Sequence, residues 1–161
     1  MKKILAIVGV LGLMAALAMP MAALAAVGTT EVTGTVAVAI EVTAPAGAGL
    51  GSMDIGNNTL ASDITVTVNC TQKNWTLGAK EAGGDGKMSG TPGTLANALK
   101  IKGGDIADYT ALSGSDVLLE DSGAAAAGQT DIDDVNFQQT VVYADTAGAY
   151  SINITFTGTP I

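Results

Sequence analysis

An all-β domain built from antiparallel strands is the fold class this chain predicts, and three observations predict it. Several short segments alternate apolar and polar residues with a period of two, the signature of strands with one face in a core. Stretches rich in Gly, Pro and Asn separate those segments. No stretch after the first 25 residues carries the three-to-four-residue apolar spacing of a long amphipathic helix.

The first element is of a different kind. Lys2 and Lys3 precede an apolar run from Ile4 to Leu17, Met19 and Pro20 follow, and Ala23-Leu24-Ala25 presents small residues before Ala26. A basic start, a short apolar stretch and a small-residue cleavage site are the parts of a secretory signal peptide, here residues 1–25 with cleavage between Ala25 and Ala26. The run is shorter than the ~20 residues of a spanning helix, so no stable membrane span is expected after cleavage. Residues 26–161 then form one β-sandwich domain, large enough for a single core.

Strand by strand, Thr35 to Thr43 reads TVAVAIEVT, with Val36, Val38, Ile40 and Val42 on one face. Pro45, Gly47, Gly49 and Gly51 break it; Met53-Asp54-Ile55 is a short segment before a turn at Gly56-Asn57-Asn58. Asp63 to Asn69 alternates again, and Trp75 and Leu77 share one parity in the next run, which sends both into the core. Gly83 to Gly93 is a polar loop. Leu95, Leu99 and Ile101 fit either a helical turn or a strand. Gly114 to Gly128 is a second excursion around Val117-Leu118-Leu119. Val135 to Tyr143 and Tyr150 to Phe156 close the chain as two strands, with Val135, Phe137, Val141 and Tyr143 on one inner face and a hairpin-length turn at Ala144 to Gly148. Seven or eight such strands make a single antiparallel sandwich, immunoglobulin-like or jelly-roll-like.

Composition narrows the function classes. Residues 26–161 hold 5 Lys against 15 Asp+Glu, a net charge of −10, with no Arg or His. Such a surface repels phosphate backbones, which argues against nucleic acid. Without His, neither a Ser nor the lone Cys70 has the usual base, and the ligand set of a zinc site is missing. The expectation is a protein that is no enzyme and takes no cofactor. Cys70 continues the apolar parity of Ile64, Val66 and Val68 and reads as a buried thiol. Asp131, Asp133 and Asp134 are a weak Ca²⁺ candidate, better read as a solvated acidic turn. Asn57, Asn69, Asn74 and Asn153 each begin an Asn-X-Ser/Thr sequon and are candidate N-glycosylation sites.

Two resemblances add to this reading. Asn74-Trp75-Thr76-Leu77 supplies a W-x-L motif after an alternating strand, and the chain ends on a Tyr150-led strand before Pro160. That order resembles the WxL family of exported surface domains, which implies non-covalent attachment to a cell-envelope polymer, with Trp75 and Leu77 as the matching residues. A second W-x-L is absent, Phe156-Thr157-Gly158 standing in its place. The acidic, Thr-rich and Gly-rich domain also resembles exported β-sandwich subunits of matrix filaments and pili. There Thr29 to Thr43 is either an ordinary first strand or one donated to another copy of the chain. Together these give an exported, non-enzymatic cell-surface or extracellular structural protein, with an envelope-associated WxL-like module as the first reading. A filament subunit assembled by strand donation and a secreted carbohydrate-binding module are the alternatives.

Overall fold

The computed structural model describes residues 31–121 and 127–161; the expected signal segment 1–25 and the Ala25–Ala26 junction lie outside the described residues. Contacts divide the chain into two units, Met1–Gly34 and Thr35–Ile161. Of the first, Glu31 to Gly34 are described, exposed and without regular structure. The second carries eleven strands and, among the described residues, no helix.

The strands are β1 (Ile40–Thr43), β2 (Gly56–Thr59), β3 (Ile64–Cys70), β4 (Trp75–Glu81), β5 (Ser89–Gly90), β6 (Gly93–Thr94), β7 (Lys100–Gly103), β8 (Ile106–Ala111), β9 (Val117–Glu120), β10 (Gly128–Val141) and β11 (Ile154–Pro160). All pairings are antiparallel. One sheet runs β1-β3-β10-β7-β8, with β2 also on β10; the second runs β11-β4-β9; β5 and β6 form a small ribbon. The two large sheets share one core, in which Val66, Val68, Trp75, Leu77, Ile101, Leu119 and Val135 are fully buried. This is the arrangement of a β-sandwich, as the alternation predicts.

Strand β10 organises the larger sheet. Its first half pairs with β3 from Gly128↔Cys70 to Val135↔Ile64, and its second half pairs with β2 from Gln138↔Thr59 to Val141↔Gly56. So β2 and β3 are two pieces of one interrupted partner, and Gly56 to Thr59 is ladder rather than turn. The register shifts between Ile132 and Val135. This bulge sets Asp133 and Asp134, both exposed, against the single Thr65, so that Ile132 and Val135 both stay in the core. The expected acidic turn is therefore the middle of a 14-residue strand.

Other readings are corrected or decided. Val135–Tyr143 and Tyr150–Phe156 do not make a hairpin, because β7 occupies the other edge of β10 and β11 finds its partner in β4. The last ladder starts at Ile154; Tyr150 to Asn153 contribute only a single bridge, Ser89↔Ser151. Tyr143 lies beyond the end of β10 and is 91% exposed instead of inward. Leu95 to Leu99 form no helix, and of Thr35 to Thr43 only Ile40–Thr43 is ladder.

Close approach requires glycine at Gly104 and Gly158, among other positions. Gly104 has φ +58°, and a Cβ there would lie 2.1 Å from the Leu119 carbonyl oxygen. A Cβ on Gly158 would lie 2.8 Å from both Ile40 Cδ1 and Val42 Cγ2, so its absence lets β1 lie against β11. Leu77, fully buried at the centre of β4, is the sharpest test of the shared core. Leu77→Ala is expected to lower the unfolding free energy by about 3 kcal/mol, read as a fall in the urea midpoint at unchanged slope.

Candidate functional site

Strand β1 enters the sheet from an unpaired arm. Thr71, one residue past β3, holds it: its Oγ1 accepts the Ala39 N–H at 2.8 Å, its N–H donates to the Ala39 carbonyl at 3.0 Å, and Oγ1 reaches the Ala37 carbonyl at 3.2 Å. Val36 and Val38 continue the parity of Ile40 and Val42, yet they are 82% and 57% exposed. Alternating valines left in water have the pattern of a strand without a sheet to cover it.

At the other end of β1 the sandwich is open. Strand β11 is the edge of its sheet and pairs only with β4 among the described residues. Ile154 and Phe156 are consequently half-buried, while Leu77 and Ala79 of the adjacent β4 are fully buried. Beside them lies a cleft of about 200 Å³, lined by Ile64, Phe137, Ile154, Phe156 and the loop Pro45 to Ala48, with Asn153 as its single polar lining residue. A larger cleft of about 870 Å³ adjoins it through Ala48, Leu50, Met88 and Ile152. The rim of the larger cleft carries the exposed Ile55 and Tyr143, and its acidic residues are Asp54 and Asp145. No lysine lines either cleft.

The residues singled out by sequence lie apart from this groove, except Asn153. Trp75 and Leu77 are fully buried in β4, so the W-x-L motif presents no side chain to an external ligand. Of the sequons, Asn57, Asn74 and Asn153 are exposed and Asn69 is half-buried. Asn57 Oδ1 accepts the Thr140 hydroxyl at 2.6 Å, and Asn74 sits in the left-handed region at φ 44°. Asp131 accepts from Thr67 and Gln129, Asp134 accepts the Gly104 N–H at 2.8 Å, and Asp133 is exposed. Among the described residues no group of three His, Cys, Asp or Glu is placed to hold a metal ion. Cys70 is 4% exposed on the core parity, as expected.

Three buried polar residues escaped the sequence reading. Glu81 takes the core parity of β4, and its carboxylate accepts the backbone N–H groups of Gly83, Gly84 and Gly86, folding the Gly-rich loop back on the strand. An acid on core parity just before a glycine run was the available signal. Asn136 accepts from the Tyr109 hydroxyl and donates to Asp63 on the outer face of β10. Gln139 lies fully buried between Phe137 and Val141; its Nε2 donates to the Asn97 and Thr140 carbonyls, while its Oε1 and the Trp75 Nε1 have no hydrogen-bond partner among the described residues. Such side chains fix a register more than they add stability.

No family model matches the chain, and no curated protein matches it. Among solved structures, a chain from a chaperone-usher pilus, in a study of how its rod uncoils, matches with a TM-score of 0.50 and 17% identity. The match covers 85% of this chain and 97% of that one. At that identity the likeness concerns the fold alone.

The arrangement offers an apolar groove beside a free strand edge, which is suited to an extended peptide. Thiol chemistry checks the contrast between arm and core. A Val36→Cys thiol should react with a disulfide reagent on the order of a hundredfold faster than native Cys70, whose reaction requires opening of the sheet.

Proposed function

We propose that this chain is an exported, non-enzymatic structural subunit that assembles outside the cell into filaments by strand donation. The observation that carries the reading is the placement of arm and groove. The arm Thr35–Ala39 leaves past the Cys70 end of β3, and the clefts open beyond Thr43, at the Ile64 end. Donor and acceptor surfaces thus differ and face opposite ways along β1. A joint of this kind is heterologous and does not close on itself, so it propagates as an open chain.

In the joint, the arm of one copy adds to the free edge of β11 in the next, with Val36 and Val38 over Ile154 and Phe156. Each valine buried contributes about 1.5–3 kcal/mol, and the new ladder adds roughly 0.5–1.5 kcal/mol per hydrogen bond, against the cost of ordering the arm. The fold likeness to a chain of a pilus supports the same reading. The cleavable-signal pattern of residues 1–25 supports export to the cell surface. With Trp75 and Leu77 buried, no surface feature favours attachment to an envelope polymer through the W-x-L motif.

The product secreted when the full chain is expressed should sediment as a ladder of oligomers and show fibres by negative-stain electron microscopy. Assembly should quicken with added salt, since like-charged copies repel at low ionic strength. Val36→Asp/Val38→Asp should abolish the fibres and leave the far-ultraviolet circular dichroism unchanged. A monodisperse monomer at every concentration and salt level would sink the proposal.

A further inference from the structure

We infer that the loop Pro45–Ser52 is a displaceable plug: Leu50 closes the acceptor groove of an unassembled subunit and yields to the arm of an incoming copy. The inference rests on the strand-donation reading and adds its regulation.

The loop is held in an unusual way for a segment that crosses a core opening. Leu50 is its one large apolar residue; it packs against the core and lines both clefts. The remaining residues of Pro45–Ser52 are exposed, and among the described residues their backbone makes no hydrogen bond. A Cβ built on Gly47, Gly49 or Gly51 meets nothing within 4 Å, so the backbone on either side of Leu50 stands clear of the rest of the protein. A segment fastened by one half-buried side chain, with no ladder and with glycines around it, belongs to the least stable part of a fold and opens locally without unfolding the sandwich. An arriving strand brings what the loop lacks, namely two β-branched side chains and a row of backbone donors and acceptors for the β11 edge. The exchange therefore runs toward the assembled state. The plug covers Ile64, Ile154 and Phe156 until then, which limits wasteful association of free subunits through an apolar patch.

The test uses a labelled peptide of residues 29–43 as the arm of a second copy. It is added to full-length secreted chain carrying Val36→Asp/Val38→Asp, which has no competent arm of its own. Leu50→Ala should raise the association rate about tenfold, the factor that corresponds to about 1.4 kcal/mol of lost closure. Gly47→Ala/Gly49→Ala stiffens the loop, keeps Leu50 and introduces no clash, and should slow association severalfold. Binding at equal rates to all three chains overturns the plug and leaves strand donation standing. No binding to any of them overturns strand donation, and the plug with it. Slower binding to Leu50→Ala, accompanied by loss of the native circular dichroism, would assign Leu50 to the core and also overturn the plug.

Discussion

Strand β10 is paired on both sides at its centre, and much else follows from that. One edge is taken by β3 and then β2, and the other, from Asn136 to Gln138, by β7. The chain leaving Val141 does not fold back onto it. It crosses through the turn where Asp145 accepts the Val142 N–H and donates its own N–H to the Val142 carbonyl, and reaches the second sheet instead. There β4 already carries β9, so β11 becomes an edge strand. The free edge of β11, with Ile154 and Phe156 half-buried beside it, is thus a consequence of how hydrogen-bonding capacity is distributed between two sheets.

What the sequence made legible follows the same physics. Period-two alternation placed β3 to within a residue, sent Trp75, Leu77 and Cys70 inward and gave the fold class, because an apolar face has one use in a small domain. It failed where pairing, not patterning, decides. The residues of Val135–Tyr143 and Tyr150–Phe156 alternate as hairpin strands would, but alternation is silent about which edge is vacant. Asp131, Asp133 and Asp134 looked like a turn because a bulge and a run of acids read alike in one dimension. Gly56-Asn57-Asn58-Thr59 has turn composition and is nevertheless ladder, held by β10. In the candidate site, the Thr29–Thr43 segment was legible as a strand, of which Ile40–Thr43 pairs in its own sheet, but alternation does not say whether the rest is covered. The groove was not visible, being assembled from Ile64, Phe137, Ile154 and Phe156, which are far apart in the chain.

The W-x-L resemblance shows the limit of short motifs. Two residues with a one-residue gap are also what any buried strand supplies when a large aromatic and a leucine fill neighbouring core sites, as Trp75 and Leu77 do. The fold likeness to a pilus chain covers 85% of the molecule, and it concerns shape, not a handful of side chains. The acidic surface fits either setting: like charges repel at long range, so any contact it allows has to rest on short-range apolar packing.

The thiol of Cys70 has a further implication. It is the chain's one cysteine and lies within the sandwich. No covalent staple joins β3 to any other strand, so the fold asks nothing of oxidases or of the redox state of its surroundings. It should keep its shape equally well in sulfidic, oxygen-free water and in air-saturated medium, a tolerance denied to exported domains that rely on cystine for cohesion.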